Sequence, residues 1–483
     1  MQEQLTNKMH TCPIKVLLWK MGLPMLASMV LQALYNVVDS AFVANMENIG
    51  ALANVALSIA FPVQILMIAL GVGTGIGINA MLSKSLGEKN SEKVSFTAGN
   101  GIFLALCIYA IFLIFGLFLA KPFALLFSED EQVVSMSTDY MRICCALSLG
   151  SVGYTVFERF LQATGKTGCS TIAQISGALT NVLLDYIFIY PLNLGVSGAA
   201  WATVIGQFVS LFMAMAFHYC LNKEIKNGIR FVRPKAQIIK GIYAIGASAA
   251  VMQALLSVMT AGVNAILSRA PSNSELLVGA FGIYYKIQQI ALFSAFGLSN
   301  TIITLLSFNY GSGNKKRAEQ CVKYGITDSL IVTFVITVLF EIFAAQLAKI
   351  FSLAGTSTAE LSALCKNATR IAAVGYVFMG YSVAVQGVLQ ALGNAVKPLI
   401  ISLLRLIVFV LPVAYVFTAT GNAISSVWWT FPIAEVATAF FSFIFLQTEL
   451  KAKIKPMPDS AEKADATATV QEQNSAEITK NIA

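Results

Sequence analysis

The stretch GIFLALCIYAIFLIFGLFLA, from Gly101 to Ala120, decides the fold class because it contains no charged side chain. As an α-helix, these 20 residues would extend about 30 Å, which is the thickness of the hydrocarbon core of a bilayer. A run of this length and apolarity is typical of a membrane-crossing helix. The sequence therefore predicts that this segment spans a membrane.

The composition of the whole chain agrees with this prediction. Of the 483 residues, 57% are hydrophobic and 12% are charged, and the mean hydropathy is +0.73. A soluble globular domain contains about 25% charged residues, so too few polar side chains are present to cover one water-soluble core. The composition excludes an ordinary soluble enzyme and indicates that lipid is the main solvent.

Runs of about 20 mostly apolar residues predict about twelve membrane-crossing helices. The predicted spans are 16–38, 54–80, 96–120, 134–156, 168–190, 197–220, 242–267, 277–306, 325–348, 368–390, 398–419 and 424–447. The expected fold class is an all-α polytopic membrane protein. The first apolar run exceeds the core of a signal peptide, so we expect a signal anchor that is not cleaved.

Lys and Arg side chains are concentrated in alternate breaks between these spans. They occur within 84–93, at Lys166, and within 223–240 and 315–323, whereas the opposite breaks carry few charges or, at 129–131, acidic ones. Because cytoplasmic loops are enriched in Lys and Arg, both termini are predicted to be cytoplasmic in a multi-pass cell-membrane protein. The net charge of +8 follows this topology. No basic amphipathic face is present, so no nucleic-acid partner is expected.

The longest internal break divides the chain near its middle. We predict a cytoplasmic N-terminus at 1–15, an N-lobe of helices 1–6 at 16–221, a basic cytoplasmic linker at 222–241, a C-lobe of helices 7–12 at 242–450 and a disordered cytoplasmic tail at 451–483. The composition of the tail cannot bury enough apolar area to offset the entropy lost on ordering.

An internal repeat relates the two halves. LQATG at 161–165 recurs as LQALG at 389–393, an offset of 228 residues. At an offset of 224, the matching residues are Gly73 and Gly297, Ser83 and Ser307, Gly87 and Gly311, and Asn90 and Asn314. The offset contains an even number of helices, so the repeat is parallel and its axis lies along the membrane normal. This architecture is typical of transporters that bind substrate between their halves.

Polar side chains form one face on each of two predicted N-lobe helices. The first helix carries Ser28, Gln32, Asn36 and Asp39, and the fifth carries Gln174, Ala178, Asn181 and Asp185. Spacings of three and four residues place each set on one helical face. Inserting a charged side chain at the centre of a membrane helix costs about 2.5 to 3.5 kcal/mol, so an acidic residue inside a span is interpreted as functional. The alternative is that the acidic side chain lies at the outer interface and is solvated there. We expect Asp39 and Asp185 to line one cavity and to bind a proton or a hard cation.

The C-terminal half carries a similar face without an acid. Its residues on the seventh predicted helix are Gln253, Ser257, Thr260 and Asn264. The coupling chemistry is therefore expected in the N-terminal half. Lys286 and Glu435 lie inside predicted spans, so a mutual ion pair is one interpretation. Glu341 is expected at the outer interface, and Arg405 either extends to the cytoplasmic side or stays inside its span.

Several functional motifs are excluded. The glycines at positions 71, 73, 75 and 77 follow no strand and precede no GK[ST] sequence, so they indicate close helix packing and not a phosphate loop. The sequence contains no Walker motif, and its two histidines and scattered acids offer little material for metal or acid–base catalysis. We expect neither an enzyme nor a cofactor.

Three strings give the chain a family resemblance. LQALYNVVDSAFV at 31–43, LGVSGAAWATVIGQ at 194–207 and SFNYGSGNKKRA at 307–318 resemble multidrug and toxic compound extrusion (MATE) transporters of the DinF-type branch. The resemblance covers about residues 14–447. It implies two six-helix bundles around a central cavity and exchange of organic cations for protons or sodium by alternating access.

The resemblance also implies roles for individual residues. By motif, the N-lobe cation site falls on Asp39, Asn181, Asp185, Thr203 and Tyr140, and Pro24 is the hinge of the first helix. With sodium as the coupling ion, Asp39 and Asp185 would be its ligands. The substrate-cavity candidates are Gln32, Asn36, Gln174, Gln253, Ser257, Asn264 and Lys286. Acidic ligands that the NorM-type branch has on the seventh and tenth helices are missing here, which favours the N-lobe.

The leading hypothesis is a secondary antiporter that exports amphipathic, often cationic compounds. Its expected partners are small organic cations or amphiphiles and membrane lipid, and a monomer is expected. The alternative is a flippase for a lipid-linked saccharide, for which a basic cavity and often additional helices would be expected. A membrane-embedded transferase is a third class, disfavoured because the sequence lacks the histidine, metal or paired-acid chemistry that it requires.

Overall fold

The computed structural model describes residues 8–44, 46, 50–352, 359–419 and 423–458. These residues form helices and no β-strand. Most of the expected C-terminal tail, from residue 459 onward, lies outside the described residues.

The membrane helices are labelled here in chain order. They are α1 (Ile14–Ala44), α2 (Gly50–Gly87), α3 (Ser91–Ile114, then a π-helix Phe115–Leu119, then Ala120–Leu125), α4 (Glu131–Ala146 and Leu149–Ala163), α5 (Thr167–Ile189), α6 (Gly195–Leu221), α7 (Ala236–Leu267), α8 (Ser274–Gly311), α9 (Lys315–Ser352), α10 (Ala359–Ala373 and Tyr376–Ala391), α11 (Val396–Leu403, then a π-helix Leu404–Val408, then Val410–Ala419) and α12 (Ala423–Ser426, a 3-10 turn Val427–Trp429, Thr430–Glu449, then a π-helix Leu450–Ile454). Short helices Lys8–Thr11 and Ile229–Val232 lie before α1 and before α7.

Within the described ranges, ten helices are long and apolar enough to cross a membrane, and the two bent pairs raise the number to twelve. The bent pairs are α4, which turns by 40° between its halves, and α10, which turns by 53°. These two helices occupy the same place in each half, as the repeat requires. The predicted all-α fold with about twelve spans is confirmed.

Each half of the chain has its own apolar core. One buried cluster draws its residues from 46–242 and a second from 256–434. A third cluster combines the beginning of α1, including Leu17 and Met21, with residues of α8 and α10 such as Leu305 and Leu389. The first helix of the N-terminal half is therefore anchored at one end to the C-terminal half.

The glycine series of α2 packs directly on α7. A β-carbon at Gly73 would lie 2.6 Å from the carbonyl oxygen of Gly246, and one at Gly77 would overlap the carbonyl oxygen of Ile242. No side chain fits in this contact, because the two backbones touch. The interpretation of these glycines as close-packing residues is confirmed at both positions.

The helices α2 and α8 form a second backbone contact, and the internal repeat relates its two sides. A β-carbon at Gly87 of α2 would overlap the carbonyl oxygen of Phe308, and one at Gly311 of α8 would overlap that of Lys84. The offset of 224 relates both glycines and both carbonyl groups. The helices α2 and α8 thus cross on the repeat axis, at the end of the molecule that carries the basic breaks after α2 and α8. This basic end is closed by direct contact between the halves.

The backbone contact at Gly77 makes a prediction about stability. Gly77→Ala inserts a methyl group where α2 meets the Ile242 carbonyl, and overpacking of this kind costs about 1–3 kcal/mol. We expect the apparent Tm of the detergent-purified protein to fall by several degrees in a thermal unfolding experiment. Gly282→Ala is the matched control, because nothing lies within 4 Å of its added β-carbon. Equal Tm values for the two variants would contradict the described contact.

Candidate functional site

A cavity of about 410 Å³ lies between the two halves. It is lined from α1 by positions such as Met29 and Tyr35, and from α2 by residues between Phe61 and Ile76. The contacts of Gly77 and Gly87 lie farther along α2, toward the basic end. The cavity is therefore closed at the basic end and extends toward the opposite end of the bundle.

Six of the predicted site residues line this cavity: Gln32, Gln174, Asn181, Thr203, Gln253 and Ser257. The described lining does not include Pro24, Tyr140, Asp185, Asn264 or Lys286. The side chains of Asn36 and Asp39 lie outside the described residues, although both positions belong to α1. Whether Asp39 and Asp185 share one cavity, or would hold sodium together, stays a prediction.

The polar faces of α1 and α5 meet beside the cavity. Gln174 Nε2 donates to Gln32 Oε1 at 3.0 Å, and the Ser28 hydroxyl donates to Gln174 Oε1. One turn earlier on α5, Thr171 Oγ1 donates to the Pro24 carbonyl oxygen at 2.9 Å. Hydrogen bonds in a low-dielectric region are costly to leave unmade, so these contacts hold α1 against α5 from the predicted hinge at Pro24 to Gln32.

Asn181 and Asp185 lie one turn apart on α5, and both are buried, with exposed fractions of 3% and 0%. Asn181 Nδ2 donates to Thr203 Oγ1 of α6 at 3.4 Å, a long hydrogen bond. The two helices approach closely because a β-carbon at Gly206 would lie only 2.7 Å from the Gly177 carbonyl oxygen. The carboxyl group of Asp185 is thus buried one helical turn beyond Asn181, which lines the cavity.

Tyr140 belongs to the first half of α4 and is also buried. Its hydroxyl accepts a hydrogen bond from Gln64 Nε2 of α2 at 2.8 Å. Tyr140 therefore connects α2 and α4, and its predicted role in cation coupling stays a prediction.

A polar cluster on α4 was missed by sequence reasoning. Glu158 and Arg159 both line the cavity, and their exposed fractions are 5% and 2%. Arg159 Nη1 donates to Gln162 Oε1 at 2.7 Å, and Gln162 Nε2 donates to Glu158 Oε1 at 2.9 Å. The predicted fourth span ended at 156, which placed these residues in a loop, whereas α4 continues to Ala163. The LQATG repeat was the available signal, because it starts only three residues after Glu158.

The repeat places two amides in the C-terminal half at the positions of Glu158 and Gln162. Gln386 and Gln390 stand at an offset of 228 and also line the cavity. Gln386 Nε2 donates to Ser402 Oγ at 2.9 Å. The two walls of the cavity therefore share a scaffold but differ in charge.

In the C-terminal half, the interpretation of Lys286 and Glu435 as an ion pair was wrong, and the alternatives for Arg405 are decided. Glu435 pairs with Arg405 and not with Lys286: Arg405 Nε donates to Glu435 Oε1 at 2.7 Å. Arg405 does not extend to the surface, since it is 4% exposed and lines the cavity. The physical reason is that a buried carboxylate and a buried guanidinium need each other as counter-ions. Lys286 is half-buried and forms no ion pair with the described residues.

Two other polar residues of this half lie apart from the cavity. Glu341 pairs with Arg370 at 3.4 Å, and both side chains are more than one-third exposed, at 38% and 51%. Asn264 of α7 has a buried Oδ1 atom with no hydrogen-bond partner among the described residues. Neither residue contributes to the described cavity lining.

No group of three or more His, Cys, Asp or Glu side chains that could hold a metal ion occurs among the residues that the structure describes.

The chain is similar to known proteins over most of its length. The MatE family model matches residues 24–187 and 248–416, one segment in each half of the repeat. The multidrug export protein MepA of Staphylococcus haemolyticus is 23% identical over 425 residues, covering 88% of this chain and 91% of that protein. MepA of Staphylococcus saprophyticus is 22% identical over 425 residues, covering 88% of this chain and 92% of that protein.

Solved structures share the fold. A crystal structure of a MATE protein in complex with MaL6 superposes with a TM-score of 0.87 at 23% identity, covering 93% of this chain and 99% of that chain. An outward-facing MATE family transporter of the MOP superfamily also gives a TM-score of 0.87, at 22% identity, covering 94% of this chain and 100% of that chain. Because the family model matches more than half of the sequence and the fold agrees, the chain belongs to the MatE family of multidrug and toxic compound extrusion transporters and is not an enzyme.

Proposed function

We propose that the protein is a secondary active antiporter that exports amphipathic, often cationic compounds in exchange for protons or sodium by alternating access. The observation that carries this proposal is the cavity of about 410 Å³ between two repeated halves, closed at the basic end. Alternating access requires a state in which the cavity is accessible from one side of the membrane and closed on the other side. The multidrug export proteins among the relatives agree with export as the direction of transport.

The cavity lining supports a broad preference for amphipathic compounds. Aromatic and thioether side chains alternate with polar ones, and they include Met29, Phe61, Met67, Phe293 and Phe296. Flexible methionines and large aromatic faces adapt to differently shaped apolar ligands. We expect membrane lipid and small organic compounds to be the partners of a monomeric transporter.

The coupling site is proposed at Asp185, with Asp39, Asn181, Thr203 and Tyr140 as its further members. A carboxyl group that is fully buried inside a membrane helix is costly to keep charged, so it alternates readily between a protonated and a cation-bound state. Asn181 and Thr203 line the cavity, and Asp185 lies one helical turn from Asn181 on α5. This position connects proton or sodium binding to the substrate cavity.

The orientation is proposed from the basic breaks. Lys84, Lys166 and Lys315 stand near the closed end, and cytoplasmic loops carry the excess of positive charge. The closed end would then face the cytoplasm, with both termini on that side and the cavity directed outward. The DinF-type branch is proposed because the proposed coupling acids and Glu158, the acid in the described cavity lining, all lie in the N-terminal half.

The flippase alternative is less well supported by the cavity. A carrier of lipid-linked saccharides would present unpaired basic groups to an anionic headgroup. Here Arg159 lies beside Glu158, with 3.8 Å between Arg159 Nη2 and Glu158 Oε2, and Arg405 is paired with Glu435. The described part of the chain also offers at most twelve spans. These observations favour export of amphipathic compounds.

The coupling proposal predicts the effect of Asp185→Asn. Efflux of ethidium from cells should fall about tenfold or more, because the amide cannot exchange a proton or balance sodium at the buried site. Efflux should also stop when the proton gradient is collapsed in the wild type; loss only with the sodium gradient would assign sodium as the coupling ion.

Asp139→Asn is the matched control for this experiment. Asp139 lies on α4, is half-buried and contributes nothing to the described cavity lining, so its variant should transport like the wild type. Full ethidium efflux by an Asp185→Asn protein present at normal levels would contradict the proposed coupling site.

The hinge proposal predicts the effect of Pro24→Ala. Proline removes one backbone hydrogen bond from α1, and alanine restores it and stiffens the helix. We expect ethidium binding by the purified protein to be retained while efflux slows several-fold. Pro62→Ala is the matched control, because Pro62 lies inside α2 and outside the described cavity lining. Equal efflux rates for Pro24→Ala and the wild type would exclude a hinge at this position.

A further inference from the structure

The segment 9–12, which precedes α1, lies at the closed basic end and contacts both halves. Met9 is 1% exposed, and a β-carbon added at Gly165, in the turn between α4 and α5, would lie 3.4 Å from its Sδ atom. The His10 ring packs against Phe308 of α8, with 4.6 Å between the ring centroids. Phe308 also supplies the carbonyl oxygen against which Gly87 packs. The segment therefore touches a residue of the contact that closes the basic end.

Arg317, in the first turn of α9, holds this segment by its main chain. Its Nη2 atom donates to the carbonyl oxygens of Met9 at 2.7 Å and of Cys12 at 3.0 Å. Its Nε atom donates to Asn309 Oδ1 of α8 at 2.9 Å, which orients the guanidinium group. Hydrogen bonds from a charged donor contribute more than neutral ones. Arg317 therefore fastens the segment 9–12 to the C-terminal half.

The repeat shows that the scaffold does not need an arginine at this place. At an offset of 224, Lys93 corresponds to Arg317. The Lys93 N–H donates to Asn90 Oδ1 at 2.9 Å, which caps α3. The Arg317 N–H donates in the same way to Asn314 Oδ1 at 3.1 Å at the start of α9. The Lys93 side chain, however, forms an ion pair with Glu88 on the surface, at 2.9 Å. The contact with the segment 9–12 is thus an addition to the repeated scaffold.

The charged groups that face His10 are both cationic. Lys89 approaches from the turn between α2 and α3, and Arg317 approaches from α9. The neighbouring α8 presents the uncharged Phe308 ring, and Glu88 of the same turn as Lys89 is engaged in its own ion pair. Burial, followed by the positive charges of Lys89 and Arg317, lowers the pKa of His10 from its ordinary value of 6.5. A proton on His10 would add a third positive charge between the halves.

The sign of the pH dependence follows from this environment. A released segment would expose His10 to water and restore its ordinary pKa, so the closed end binds fewer protons than the released one. The closed end is therefore most stable above the ordinary histidine pKa, and it loses stability as the pH falls through and below that value.

We propose that the segment 9–12 is a latch, held by Arg317, which keeps the basic end closed and is released when His10 is protonated. Acid on the side of the basic end would then favour opening at that end. The inference rests on the proposed alternating access and adds an element that controls one of its two states.

The test measures opening of the basic end with spin labels at Lys223 and Lys323. Both positions are exposed, one just after α6 and the other on α9, and neither belongs to the latch. The labels are attached to the protein in detergent, with the reactive native cysteines replaced. Pulsed electron–electron double resonance then gives the ratio of the longer to the shorter distance between the halves.

The first comparison removes the group that holds the latch. In Arg317→Gln at about pH 8, above the ordinary histidine pKa, the ratio of longer to shorter distances should rise about tenfold or more, because hydrogen bonds from a charged donor are lost. Lys93→Gln is the matched control. It removes a cation at the position that the repeat relates to Arg317 and leaves the latch intact, so its ratio should equal that of the wild type.

The second comparison changes only the charge at His10. At about pH 8, His10→Lys carries a permanent positive charge and should raise the ratio several-fold, whereas the uncharged His10→Gln should match the wild type. Both variants lose the ring contact with Phe308, so the charge is what distinguishes them. Lowering the pH to about 5.5 should raise the ratio more in the wild type than in His10→Gln.

Two results would overturn the latch: equal ratios in His10→Lys and His10→Gln, or equal ratios in Arg317→Gln and Lys93→Gln. The His10 pair decides the question even where Arg317→Gln folds poorly. Opening that responds to ethidium alone would leave the proposed alternating access intact. A single short distance in every variant, at both pH values and with ethidium present, would contradict alternating access and this inference with it.

Discussion

The contact of α2 with α8 through Gly87 and Gly311 is the constraint on which the rest of the structure depends. Each glycine lies against a carbonyl oxygen of the other helix, and the repeat relates the two contacts. Nearby, Asn79 Nδ2 donates to Thr304 Oγ1 at 3.0 Å across the same interface. Because backbones touch here, the halves cannot separate at the basic end without breaking the whole contact. The space between them is thereby confined to the other end of the bundle.

The two walls of that space carry different chemistry on one scaffold. The N-terminal wall holds the neighbouring Glu158 and Arg159, and the C-terminal wall holds Arg405, which pairs with the buried Glu435. Polar groups buried away from water need partners, which explains why nearly every charge near the cavity has one. This asymmetry is consistent with the proposed coupling site in the N-terminal half.

The sequence predicted the fold class, the number of spans, the parallel repeat and the polar faces of α1 and α5, because these follow from apolar run length and helical periodicity. It did not predict the Glu158–Gln162 cluster, since three polar residues near a span end resemble a loop until their mutual hydrogen bonds are seen. Nor did it predict the partner of Glu435. Arg405 is on a different helix, and helix periodicity gives no information about which helices pack together.

The central claim is that the closed basic end opens during transport. Spin labels would be attached at Glu92 and Lys316, two exposed positions that the repeat relates by 224 residues. Pulsed electron–electron double resonance would then measure the distance between the two halves at the basic end. With the reactive native cysteines replaced, the account predicts one short distance in the closed state and a second, longer population when pH and a transported dye are varied. A single unchanged distance under all conditions would contradict alternating access between these two halves.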